Sequence, residues 1–235
     1  MIIGIFFYFE HEDLKLLKTV TNPNKGTRSE REMVLILLKK GIPAQTIFHD
    51  LYFINKSGSI SQVDLVVPTK VGIIVFEIKE YGGWLFGTGN RTNWTQVLSY
   101  GKEKYQFYNP IMQNQKHIES IINQEDQFKN IPFFSVVVFF GNCEFKDISA
   151  VPEDVYLIKS WEVNDIVEKI LSDNQPAKYV NKLKIVELLS QAVKNGDDDI
   201  IREKHFSNIE SMLNNKGVSN YEKQTFGKGK NPFLR

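Results

Sequence analysis

Three charged residues stand on apolar runs where a soluble chain seldom leaves charge: Asp64, Glu77 and Lys79. In "GIIVFEIKEY" a carboxylate and an amine lie two positions apart, and strand residues alternate faces, so Glu77 and Lys79 project the same way. Unpaired charge in such a segment is costly. The preceding run, "SQVDLVVP", is interrupted by Asp64 alone, and the short "PTKVG" turn brings Asp64 across from the Glu77 region. Two carboxylates forced together repel each other unless a cation sits between them. A magnesium ion with a few waters answers that problem, and Lys79 then lies beside the metal-bound water. On spacing alone, an ion pair at the end of a sheet is an equal alternative. Acid-x-lysine recurs at Asp13 with Lys15 and at Glu144 with Lys146, in segments that read as loops or ends. The apolar context is what separates Glu77 and Lys79 from these.

The elements that must hold the trio follow from local signals. "TRSEREMVLILLKKG" reads as a helix with overlapping capping boxes, Thr27 to Glu30 and Ser29 to Glu32, closed by Gly41. Glu30 shares a stripe with Val34 and Leu37 that faces the sheet; Glu32 is the fallback. "TIFHDLYFI" (46–54) and "SQVDLVVP" (61–68) flank the hairpin signal "NKSGS", and "GIIVFEIKEY" (72–81) makes a third strand. "YGGWLFGTGNRTNW" reads as a loop or short hairpin in which Trp84 and Trp94 pack the loop rather than stack on bases. A helix begins at Asn109 and Pro110, with Asn109 as cap. It places Gln113 and His117 on one face, where His117 reads as a half-buried packing residue. "PFFSVVVFFG" (132–141) is long and apolar enough for a strand buried on both faces. "VYLIK" (155–159) is a further strand, and "SWEVNDIVEKILS" a capped amphipathic helix. The order gives an α/β chain with a mixed sheet. Two more helices are expected within 173–215, then a basic tail over 216–235.

Composition bounds the partners. A chain of 235 residues holds one domain plus an appendage, and 42% apolar content is ordinary for a globular protein. The net charge of +1 gives no general basic field, so any nucleic-acid site must be local. Lys79, Arg91, Lys102, Lys104 and Lys116 form the expected cluster around the site mouth. The lone cysteine, Cys143, excludes an internal disulfide and fits a reducing, cytoplasmic setting; it reads as inert. "MIIGIFFYFE" is too short to span a bilayer and lacks the basic start of a signal peptide, so a leading strand or packed arm is expected.

Several stretches together resemble the nuclease-related domain (NERD) family of the PD-(D/E)xK nuclease superfamily. They are "SEREMVLILLKKGIP", "FHDLYF", "SQVDLVVPTKVGIIVFEIKEYGGWLFG" and "YNPIMQNQKHIESI", in family order over roughly residues 26–140. The sequence departs at Leu65, where family members often carry histidine after the aspartate. The resemblance implies a restriction-endonuclease-like α/β core, with a mixed central sheet flanked by helices and a helical C-terminal extension. Its divisions are an N-terminal arm (1–25), a nuclease-related domain (26–172), the extension (173–215) and the tail. It implies a Mg²⁺- or Mn²⁺-dependent nuclease, with Asp64, Glu77 and the carbonyl of Ile78 as metal ligands. Lys79 would position or deprotonate the attacking water, and Glu30 would be a fourth member of the catalytic set. Gln113 would support the site or contact phosphate, with Lys116 and Arg91 as further substrate contacts. The expected partner is nucleic acid, DNA before RNA, with no membrane; a homodimer is possible. The alternative is a catalytically weak nucleic-acid-binding or scaffold module that retains the fold.

Overall fold

Asp64 and Glu77 face each other because a three-stranded meander forms where the hydrophobic pattern demands it. In the computed structural model, which describes residues 11–215, residues 11–17 are helical and α1 spans Arg28–Lys39. Then come β1 (Phe48–Ile54), β2 (Ile60–Pro68) and β3 (Ile73–Glu80), paired antiparallel in sequence. After an excursion the chain returns as β7 (Phe133–Phe140), parallel to β3, and β9 (Val155–Lys159), parallel to β7. The five-stranded sheet therefore has the order β1-β2-β3-β7-β9 and mixed direction. The expected apolar start and basic tail lie outside the described residues.

Helices cover both faces of this sheet. On one side Met33, Val34 and Leu37 of α1, with Val163, Val167 and Ile170 of α3 (Val163–Asp173), bury Leu65, Ile74, Phe76 and Val136. On the other, Ile121 of α2 (Pro110–Ile122) and Ile185 and Leu189 of α4 (Lys182–Asn195) cover Leu51, Val63, Val66 and Val75. The last helix, α5 (Asp199–Asn215), lies against β2. Among the described residues no helix is long and apolar enough to cross a membrane.

The excursion between β3 and β7 contains the short hairpin that was expected, as the alternative to a loop, over 81–94, and extends it into a sheet. Its strands β4 (Trp84–Thr88), β5 (Asn93–Leu98) and β6 (Glu103–Tyr108) join β8 (Glu144–Ser149) in a second sheet of order β6-β5-β4-β8. Trp94 is not a loop residue: it is fully buried on β5, stacked on Phe139 with its indole N–H donated to the Thr88 carbonyl at 3.0 Å. Trp84 lies on β4, half-buried on the opposite face of the sheet.

One distortion bears on the site. Phe48 lies on the α2/α4 side of β1, and so do Leu51 and Phe53, an odd step that regular alternation forbids. β2 makes the same switch between Val63 and Val66. The residue between the two registers on β1 is Asp50, with φ +57° in the left-handed region that aspartate tolerates better than most residues. The flanking pairs, His49 with Leu65 and Leu51 with Val63, put Asp50 opposite Asp64. Asp64 therefore sits where side chains change face.

Candidate active site

Burial decides which acid-x-lysine pair is unusual. Glu144 and Lys146 form an ion pair on β8 with their side chains 61% and 42% exposed, whereas the side chain of Glu77 is 1% exposed. Glu77 and Lys79 project toward α2, with Lys79 Nζ 2.5 Å from Glu77 Oε1. His117 of α2 brings Nε2 to 3.1 Å from Glu77 Oε2. Neither approach has hydrogen-bond geometry, so both buried oxygens of Glu77 remain without a hydrogen bond among the described residues.

Asp64 enters this group edge-on. Its Oδ2 accepts the backbone N–H of Ile78 at 2.7 Å, tying the carboxylate to the strand segment between Glu77 and Lys79. Burial pushes the Asp64 carboxyl well above the ordinary aspartate range, and the charges of Glu77 and then Glu30 push it further. Burial acts on Glu77 in the same direction, but Lys79 and His117 outweigh it and hold that carboxyl below its usual value. The two acids thus have opposite tendencies, one holding a proton and one giving it up. For Lys79 burial favours loss of the proton, yet Glu77, Tyr81 and Asp64 together raise it above an ordinary lysine.

α2 is registered on the sheet by a buried amide. Asn114 Nδ2 donates to the Val75 carbonyl of β3 at 3.0 Å and to Ser135 Oγ of β7 at 2.9 Å. With the helix pinned there, Gln113 Oε1 accepts from Lys79 Nζ at 3.1 Å, and His117 Nδ1 meets Ser61 Oγ at 3.1 Å. The expectation of a packing role for His117 is corrected: it bridges β2 and the Glu77 carboxylate.

Glu30 arrives from α1 on the other side of the sheet. Thr27 caps the helix by accepting the Glu30 N–H at 3.2 Å and donates to Glu30 Oε1 at 2.8 Å, so the expected capping interaction is present. Glu30 Oε2 meets His49 Nε2 at 3.2 Å, and His49 Nδ1 meets Thr21 Oγ at 2.9 Å. Burial raises the Glu30 carboxyl, but His49 overrides it and the net displacement is downward. A Cβ on Gly26, at φ +69°, would collide with both the Glu30 carboxylate and the His49 ring.

The remaining expected contacts lie apart from this cluster. Arg91 is exposed in the β4–β5 turn, and Lys116, though next to His117 in sequence, holds its Nζ 4.9 Å over the Tyr108 ring. Cys143 is buried in the core under the second sheet, and burial pushes its thiol up. Among the described residues, no group of three or more His, Cys, Asp and Glu side chains is arranged to hold a metal ion by itself. An ion at this site would rest on Asp64 and Glu77, completed by backbone carbonyl and water. Two carboxylates drawn together, with Glu77 pushing the Asp64 carboxyl upward, fit such an occupant.

Residues 25–140 match the model of a family described as nuclease-related domain (NERD), a segment that includes Glu30, Asp64, Glu77, Lys79 and Gln113. An uncharacterized protein of Bacillus anthracis is 26% identical over 144 residues, 61% of this chain and 66% of that relative, so the match spans just under two thirds of the relative's length. No solved structure matches the chain.

Proposed function

The chain carries a nuclease-related domain over residues 25–140, and from that premise we propose that it is a divalent-metal-dependent nuclease hydrolysing phosphodiester bonds, with DNA as the favoured substrate. The observation that carries this reading is the convergence of Asp64 and Lys79 on the buried Glu77, with Lys79 tethered to Gln113. Asp64 and Glu77 would hold Mg²⁺ or Mn²⁺, aided by the Ile78 carbonyl. The bound ion would lower the pKa of a coordinated water and offset phosphate charge.

The chain's own residues supply the rest. Lys79, held between Glu77 and Gln113, would act as a cationic donor to the phosphate and would position or deprotonate the attacking water. Gln113 fixes the direction of that amine, and His117 fixes the Glu77 carboxylate. Glu30, paired with His49, adds negative charge beside Asp64 and is a supporting member of the site rather than a ligand.

The test is cleavage of circular and linear DNA by the purified chain. Nicking or degradation is expected with Mg²⁺ or Mn²⁺ and none with EDTA, and Asp64→Ala is expected to abolish it. Cleavage at the wild-type level by Asp64→Ala would overturn the assignment. Binding without metal-dependent cleavage would favour the scaffold alternative.

A further inference from the structure

Building on the nuclease reading, we infer that the outer face of the second sheet is a platform for single-stranded nucleic acid, leading an unpaired strand to the Asp64–Glu77–Lys79 centre. The inner face of this sheet is consumed by the core, where Leu85, Trp94 and Phe107 lie with Val137 and Phe139. Alternation puts different residues outside. Trp84 and Phe86 of β4 stand there, in register with Val97 and Thr95 of β5, which in turn pair with Lys104 and Gln106 of β6. Tyr108 continues the same face of β6. Trp84, Phe86 and Tyr108 are half-buried, and Lys104 is exposed.

Two of these rings carry a lysine. Lys146 Nζ lies 5.2 Å from the Trp84 ring centroid, and Lys116 Nζ lies 4.9 Å from that of Tyr108. Flat rings with flexible ammonium groups over their faces suit a strand whose bases stack there as the lysines swing out to its phosphates. A duplex hides its base faces and would leave the rings unused. The counter-charges stay on β8, the edge strand: Glu144 pairs with Lys146 at 2.6 Å, and Asp147 is in register with Phe86. Position completes the case. Tyr108 directly precedes Asn109, the cap of α2, and Gln113 of that helix accepts from Lys79 Nζ, so the Tyr108 end of the platform leads into the element that carries part of the cluster.

The experiment is fluorescence anisotropy in EDTA, using the full chain and a labelled oligothymidylate of about 12 nucleotides, with the same length of duplex as the comparison. Single-strand binding is expected to be the tighter. Trp84→Ala should weaken it about tenfold and leave duplex affinity unchanged. Lys104→Ala, at an exposed position that the fold does not use, should make the log-log salt slope shallower by about 0.7 from a starting value of about −2 for three lysines. Tighter duplex binding, or an unchanged slope and affinity in Lys104→Ala, would overturn the platform. Metal-dependent cleavage alongside either of those results leaves the nuclease reading standing. Absent cleavage with the expected binding losses leaves the platform standing alone.

Discussion

Lys79 is held from two sides, by the Glu77 carboxylate at 2.5 Å and the Gln113 amide oxygen at 3.1 Å. Methionine has similar length without charge or protons to give. Lys79→Met should lower the single-turnover cleavage rate by about 10² or more, while Mn²⁺ affinity measured by calorimetry moves much less. A parallel collapse of metal affinity would mean that the lysine merely holds Glu77 in place. Asp64 makes a second, separable point. Its carboxyl is pushed up in the folded chain, so its contribution to stability is complete below the unfolded pKa and is lost as pH rises through the folded one. Glu77 and Glu30 act in the opposite sense, their contributions being lost as pH falls. Asp64→Asn keeps an acceptor for the Ile78 N–H and removes the proton equilibrium. In EDTA at neutral pH it should melt at least about 2 °C above the wild type, roughly the shift that 1 kcal/mol gives at this size. That gap should close as pH falls below about 4. Equal melting at neutral pH would refute the burial argument. Of these residues, Asp64, Glu77 and Lys79 were legible from their apolar strands. The two histidines were not, because His49 finds Glu30 and His117 finds Glu77 only through the docking of helices on the sheet.

Asn109 shows how one residue couples two elements. Its side-chain oxygen accepts the Ile111 N–H at 2.9 Å, capping α2, while Nδ2 donates to the carbonyls of Thr88, Gly89 and Arg91 at 3.1, 3.0 and 2.8 Å. The cap alone is worth about 1 kcal/mol. Stranding buried carbonyls adds roughly 1–3 kcal/mol, so Asn109→Ala should lower stability by about 2–4 kcal/mol in urea unfolding with an unchanged m-value. A loss near 1 kcal/mol would show that the turn carbonyls find water. The cap was readable from "NP"; its other three bonds were not, since they reach a sheet that local patterning hides. β4 and β5 are short and interrupted by glycine. β8 is largely exposed and pairs with β4 from some sixty residues downstream. No local window contains that partnership. Capping, apolar runs and turn signals, by contrast, were enough for α1, β1, β2 and β3.

The whole molecule gives the C-terminal helices more than an accessory place. Ile185, Leu189 and Ala192 of α4 are buried against β1 and β2, and the Tyr179 hydroxyl donates to the Thr69 carbonyl at 2.6 Å. Asn195 Nδ2 reaches the Tyr52 carbonyl at 2.9 Å, and Lys25 joins Asp197 at 2.9 Å while standing 3.7 Å from Asp50. Losing each large aliphatic contact costs about 2–5 kcal/mol, against a total stability of about 5–15 kcal/mol. A chain ended after Asp173 should therefore lose its cooperative thermal transition, as followed by circular dichroism. A truncated protein that melts like the full one would show that the nuclease-related core stands alone. The amphipathic pattern of this region announced helices, but not that they complete the core, because a stripe of apolar residues does not say which surface it will meet.

The parallel pairing of β3 with β7 has a consequence for how the molecule comes into being. Residues 81–132 separate those two strands, and α2 lies within that interval, pinned to β3 and β7 together by Asn114. A chain growing from its N-terminus makes Asp64, Glu77 and Lys79 early, on neighbouring strands. The helix that orders Lys79 and Glu77 has no complete seat until Ser135 has been added. Long-range parallel closure is also the slow kind. Connectivity thus postpones assembly of the centre until β7 exists, so an unfinished chain holds the charged groups without the frame that orders them.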